Sequence, residues 1–119
     1  MKTIFVVDDN IVNLAAAKKI LADNGYRTFT LHSVDKMFAL FSKVTPDLIL
    51  LDIEMPEMDG FAAIEKLKAD EHTANIPVMF LTASTEPKAE AKSLEAGAVD
   101  FVLKPFSASD LIKRIERII

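Results

Sequence analysis

Five short runs rich in β-branched, aromatic and other large apolar residues punctuate the chain, at residues 3–7, 26–31, 47–51, 77–81 and 100–103. Between them the apolar positions fall three and four apart, the spacing of one face of a helix. Ile11, Leu14, Ala17 and Leu21 make the first such stripe, closed by Asn24-Gly25. Ser33 is placed to cap a second helix carrying Phe38, Leu40 and Phe41 and ended by Thr45-Pro46. Phe61, Ile64 and Leu67 mark a third after Asp59-Gly60. Pro87 suits the first turn of a fourth, Ala91 and Leu94 follow, and Gly97 suits its stop. Ser107 or Ser109 opens a fifth, with Leu111, Ile112, Ile115 and Ile118 on its apolar side.

A strand followed by a helix, repeated five times over short connections, predicts the α/β class: a parallel sheet with helices on both faces. Right-handed crossovers leave few ways to lay out five such strands, and the doubly wound, flavodoxin-like order 2-1-3-4-5 is the one predicted. No internal repeat, low-complexity tract or linker interrupts the pattern, so residues 1–119 are read as one domain.

Composition narrows the function classes. Half of the 119 residues are hydrophobic, an ordinary balance for a domain with a real core. The formal net charge of −4 gives no electrostatic ground for direct nucleic-acid binding by this domain. Without cysteine there is no disulfide, thiolate nucleophile or cysteine zinc site. The apolar run at the N-terminus is too short for a signal peptide and no stretch approaches membrane-spanning length, so no membrane partner is expected and the cytoplasm is the expected location.

The polar residues then fall in telling places. Asp8 and Asp9 follow the first strand, Asp52 the third, Thr82 the fourth and Lys104 the fifth. In an open α/β sheet ligands bind beyond the carboxyl ends of the strands, where the strand order reverses. With the predicted order that point lies between strands one and three, so the three aspartates converge with Thr82 and Lys104 beside them. Three carboxylates against one ammonium leave two negative charges uncompensated. Each close carboxylate pair repels by about 4 kcal/mol at an effective dielectric near 20. Either a proton or a cation must bind. All-oxygen ligands with no histidine at hand point to magnesium, or manganese in its place. A hard cation beside an aspartate, a lysine and a hydroxyl suits phosphoryl chemistry, with an aspartate oxygen as nucleophile. Asp52, alone on the central strand, is the candidate acceptor; Asp8 and Asp9 are candidate metal holders.

The segments "VVDDN", "DLILLDIEMPEMDG", "IPVMFLTA" and "EAGAVDFVLKP", in this order and spacing, resemble the receiver domains of two-component response regulators, the CheY-like group, over the whole chain. The resemblance implies that Asp52 accepts a phosphoryl group from a phosphohistidine on a histidine kinase or histidine phosphotransfer protein. It implies that Asp9 and Asp52 ligate magnesium directly, that Glu54 contributes its backbone carbonyl, and that Asp8 acts through water. Thr82 and the backbone N–H of Ala83 would meet phosphoryl oxygens, Lys104 would pair with one of them, and Lys104-Pro105 would be cis. Thr82 and Phe101 would form the switch. The output domain or protein would be read through the face of the fourth helix, fifth strand and fifth helix. Such a domain catalyses its own phosphorylation and slow dephosphorylation rather than turnover.

Each residue alone has an ordinary explanation. A threonine at a strand end is usually a strand former, a lysine before proline is usually solvated, and Phe101 by itself is more often core. Asp8-Asp9 could simply favour a helix N-terminus. His32 and His72 are read as ordinary histidines away from the acids, and the side chain of Glu54 as solvent-facing. A magnesium-dependent phosphatase on an α/β sheet is the alternative. The joint placement at four strand ends favours the receiver.

Overall fold

A computed structural model describes residues 1–53, 60–83, 92 and 94–119. Glu54, Asp59, Pro87 and Ala91, each used above, lie outside the described residues. One sheet holds β1 (Thr3–Val7), β2 (Arg27–Leu31), β3 (Leu48–Asp52), β4 (Val78–Thr82) and β5 (Asp100–Leu103), all parallel, in the order 2-1-3-4-5. The described helices are α1 (Ile11–Asp23), α2 (Val34–Leu40), α3 (Gly60–Ala69) and α4 (Ala108–Glu116), the last being the fifth of those predicted. Of the predicted fourth helix, Lys92, Leu94 and Glu95 are described and helical.

The central strands read as unbroken apolar runs because both sheet faces are covered. Phe5, Val7, Ile49, Leu51, Val78 and Phe80 point to one side, where Val34 and Met37 of α2 and Ile64 and Leu67 of α3 pack on them. The alternate residues Ile4, Val6, Leu48, Leu50, Met79 and Leu81 point to the other, under Leu14, Ala17 and Leu21 of α1 and Leu111 and Ile115 of α4. Alternation along each strand therefore builds two cores from one sheet.

Caps and stops set the helix ends. Asn10 caps α1 through Oδ1, which accepts the N–H groups of Val12 and Asn13 at 2.8 and 3.2 Å. Ser33 caps α2 as predicted, and Ser107 rather than Ser109 caps α4. At Gly25 the chain leaves α1 with φ of 84°, a conformation that side chains rarely adopt.

Several predicted boundaries shift, and β2 starts at Arg27 rather than at residue 26. The helix α2 ends at Leu40, not at Thr45-Pro46, because Leu40 O takes N–H groups from Lys43 and Val44 and Ser42 Oγ donates to Ala39 O, closing a turn there. The strands β3 and β4 each start and end one residue later than predicted, so Asp52 and Thr82 are the last residues of their strands. Ile11 leaves the α1 stripe: it is 68% exposed, because the first turn of α1 stands beyond the end of β1.

Gly60, the first residue of α3, is where the chain returns beneath β3. Its N–H donates to Ile53 O at 2.8 Å. A Cβ there would lie 2.8 Å from Ile53 Cα and 2.9 Å from Asp52 O, both backbone atoms that cannot swing aside. Gly60→Ala is therefore expected to push the chain away from the end of β3, costing about 1–3 kcal/mol in urea unfolding. Unchanged stability in that variant would remove the close approach as a constraint.

A carboxylate and lysine site at the switch point of the sheet

Register brings the site together. Val7 lies opposite Leu51 and Thr82 opposite Leu103, so Asp8 comes level with Asp52, and Lys104 follows one step beyond Thr82. The ladder continues past the strands: Asp8 N–H donates to Leu31 O, Ile53 N–H to Leu81 O and Lys104 N–H to Thr82 O, at 3.1, 3.1 and 2.7 Å. Asp8, Asp52 and Lys104 extend the rows of Val6, Leu50 and Val102, all on the α1 and α4 side, so their side chains meet there. This is the gap between β1 and β3 where the strand order reverses.

The carboxylates of Asp8, Asp9 and Asp52 each offer an oxygen within 4.8 Å of the others. Asp8 is fully buried, Asp52 is 2% exposed, and Asp9 faces solvent. Lys104 Nζ bridges the two buried acids, 3.1 Å from Asp52 Oδ1 and 3.3 Å from Asp8 Oδ2. Burial pulls the Lys104 ammonium toward the neutral form, but the hydrogen bond and charge of Asp52, and then those of Asp8, outweigh it and raise its pKa above the ordinary lysine value. Lys104-Pro105 is cis, as the resemblance implied.

The buried acids thus hold one ammonium, and three carboxylates with a single exposed member leave charge and an open side for a small hard cation. A divalent ion fits this donor set: Asp8, Asp9 and Asp52 are oxygen ligands only, and no cysteine exists in the chain. Glu54, the fourth predicted metal residue, lies outside the described residues. His32 and His72 are exposed, in keeping with their reading as ordinary surface histidines.

Thr82 is 2% exposed at the end of β4, and Ala83 beyond it is exposed. Thr82 does not extend the row that carries Asp8, Asp52 and Lys104. It continues the row of Val78 and Phe80, on the α2 and α3 side. Phe101 sits opposite Phe80, and Thr82 opposite Leu103, so Thr82 and Phe101 are diagonal neighbours on that same face. Phe101 is half-buried against the core there.

Two residues that the sequence reading passed over touch this machinery. Asn13 Nδ2 donates to Asp8 Oδ2 at 3.2 Å. Arg114 of α4 donates through Nη1 to Asp100 Oδ1 at 2.8 Å and through Nε to both oxygens of Asp110 at 3.1 and 3.2 Å, with its guanidinium 5.8 Å over the Phe101 ring. The available signals were the second asparagine in "DDNIVN" and the four-residue spacing of Asp110 and Arg114.

A doubly wound α/β domain with acids and a lysine meeting at its switch point defines a class of phosphate-handling domains, and comparison with known proteins gives the family. The profile described as the response regulator receiver domain matches residues 4–116. A probable cyclic di-GMP phosphodiesterase of Vibrio cholerae is 41% identical over 95% of this chain and 25% of its own length. The phosphate regulon transcriptional regulatory protein PhoB of Pseudomonas aeruginosa is 35% identical over 99% of this chain and 52% of its own. The chain thus spans about half, or less, of these relatives. Among solved structures, Vibrio cholerae chemotaxis protein CheY4 superposes with a TM-score of 0.93 at 28% identity, covering 100% of this chain and 99% of that one. The receiver domain of a sensor histidine kinase from Pseudomonas aeruginosa, solved with a magnesium ion coordinated in its active-site cleft, gives 0.88 at 28% identity over 98% and 96%.

The chain belongs to the response regulator receiver domain family, and its function is that of such domains, phosphorelay signalling. The phosphatase alternative is not favoured. Among the described residues no helix is long and apolar enough to cross a membrane.

Proposed function

We propose that residues 1–119 form one receiver domain in which Asp52 accepts the phosphoryl group of a phosphohistidine on a histidine kinase or histidine phosphotransfer protein. The observation that supports this most is the Lys104 bridge: a buried carboxylate at a strand end, already paired with an ammonium suited to a phosphoryl oxygen. An Asp52 oxygen attacks phosphorus in line. The O–P bond forms as the P–N bond breaks, and the electron pair leaves with the imidazole nitrogen.

Asp9 and Asp52 would hold magnesium, with manganese as a substitute, helped by the Glu54 carbonyl and by Asp8. When bound, the ion supplies positive charge for the equatorial phosphoryl oxygens. Lys104 takes one phosphoryl oxygen, and Thr82 and the Ala83 N–H take the others. Drawing Thr82 toward the phosphoryl group opens space for its diagonal neighbour Phe101 to turn inward, shifting a pre-existing equilibrium. The surface of the predicted fourth helix, β5 and α4 passes that change to an output domain or protein. Half-exposed Leu94 and Leu103 lie on these elements, with Val99 just before β5, and support that assignment. The domain is not a turnover enzyme, and the only bond it breaks besides the donor's is its own acyl phosphate.

Acetyl phosphate with magnesium tests the reading. The expected result is one hydroxylamine-labile phosphoryl group per chain, seen as a single mass increment. Turnover of unrelated phosphate esters without a labelled protein would favour a hydrolase instead.

A further inference from the structure

Among the described residues the buried Asp8 carboxylate has three donors, one of them charged. Oδ1 accepts the Asn10 N–H at 2.9 Å, while Oδ2 is shared between Asn13 Nδ2 at 3.2 Å and Lys104 Nζ at 3.3 Å. The two neutral donors come from one short segment that braces itself. Asn10 Oδ1 accepts the backbone N–H of Asn13, which fixes the turn from which the Asn13 amide reaches back to Asp8. A carboxylate with a donor on each oxygen has its plane set by its neighbours.

We propose that Asn13 is a positioning residue for the cation site: its amide orients Asp8 and keeps that buried carboxylate hydrogen-bonded when Lys104 turns to a phosphoryl group on Asp52. The chemistry requires some such device. Lys104 serves both buried acids, and its transfer to a phosphoryl oxygen draws it from Asp8. A fully buried carboxylate stripped of its partners is strongly destabilising. The amide and the Asn10 N–H stay in place through that handover, because α1 carries them rather than β5. With Asn13 removed, the Asp8 Oδ2 would be left to the lysine, and a divalent cation would have to compete with an ammonium for an acid whose plane is no longer fixed.

This inference deepens the assignment of the Asp8, Asp9 and Asp52 cluster and rests on it. The experiment is a magnesium titration of the whole unphosphorylated domain, followed by backbone amide shifts in NMR spectra. Asn13→Ala keeps the backbone N–H that Asn10 caps and places a good helix former in α1, so the fold is retained. Asn13→Leu, with the same branched skeleton as the native side chain but no polar atom, is the second variant. Either is expected to raise the magnesium Kd by about tenfold, the usual scale for losing a residue that orients a metal ligand. In an Asp8→Asn background the same substitutions are expected to change Kd by less than about twofold, because the group through which Asn13 acts has been altered. A helix-stability role alone would give equal effects in both backgrounds. Equal effects, or a Kd within about twofold of native in both single variants, would overturn the proposal. Acetyl phosphate labelling of the native chain separates the two readings. Absence of label removes the phosphoacceptor assignment, whereas normal label with magnesium binding indifferent to Asn13 removes this inference alone.

Discussion

Asp52→Asn is expected to take no label from acetyl phosphate above background, under conditions where the native chain takes one phosphoryl group. The substitution keeps the shape of the side chain and an oxygen that can still accept from Lys104, so the site stays assembled. What disappears is the anionic oxygen, and an amide is a far weaker nucleophile than a carboxylate. Loss of label through unfolding is not expected, because the change removes a charge rather than a contact. Asp52 is 2% exposed and shares one ammonium with the fully buried Asp8. Neutralising one of two buried acids relieves their repulsion, so stability in urea should be equal to the native value or above it. Stability unchanged with label abolished assigns the acceptor. Full labelling of the variant would place it on Asp8 or Asp9 instead.

Two buried acids at the ends of apolar strands are also what made the candidate site legible in the sequence. The strand ends are where local preference and burial disagree. In "LILLD" the apolar run is accounted for by two covered sheet faces, and the acid that ends it is accounted for by nothing local. The same conflict at Asp8 and the placement of Lys104 after β5 gave the rest, once the strand order put those ends side by side.

What stayed illegible depends on contacts between residues far apart in the chain. The strand β3 runs through Asp52 because its neighbours extend the ladder at Ile53 N–H and because Lys104 compensates the buried charge. Neither partner can be seen from residues 47–52. Asn10 rather than Asp9 caps α1, which leaves Asp9 exposed at the cluster; both residues are good caps, and only the backbone path chooses. Arg114 could be paired with Asp110 from spacing, but its shorter bond to Asp100, and with it the guanidinium over Phe101, needs the packing of α4 on the sheet.

Lys104→Met tests the charge logic that all these residues share. The native Lys104 side chain is 15% exposed, and its ammonium lies within 3.3 Å of both buried acids. The substitution takes away the ammonium that bridges two close carboxylates, and breaking a buried pair in this way costs about 3 kcal/mol. In chelator, urea unfolding at neutral pH should show a loss of that size. The pH dependence has a fixed sign. The Lys104 pKa is raised in the folded chain, so folding favours the protonated lysine, and its contribution is complete below the ordinary value of 10.5. As pH rises through the raised folded value that contribution is lost, and native and variant curves should converge in that alkaline range. Magnesium should repair the variant more than the native chain. The ion and the ammonium draw on the same carboxylates, and a ligand at 100 times its Kd stabilises a fold by about 2.7 kcal/mol. The shift in the urea midpoint on adding magnesium is therefore expected to be larger for Lys104→Met. An equal or smaller shift would mean that lysine and metal act at separate places, and that the bridge between Asp8 and Asp52 is structural rather than part of a phosphoryl site.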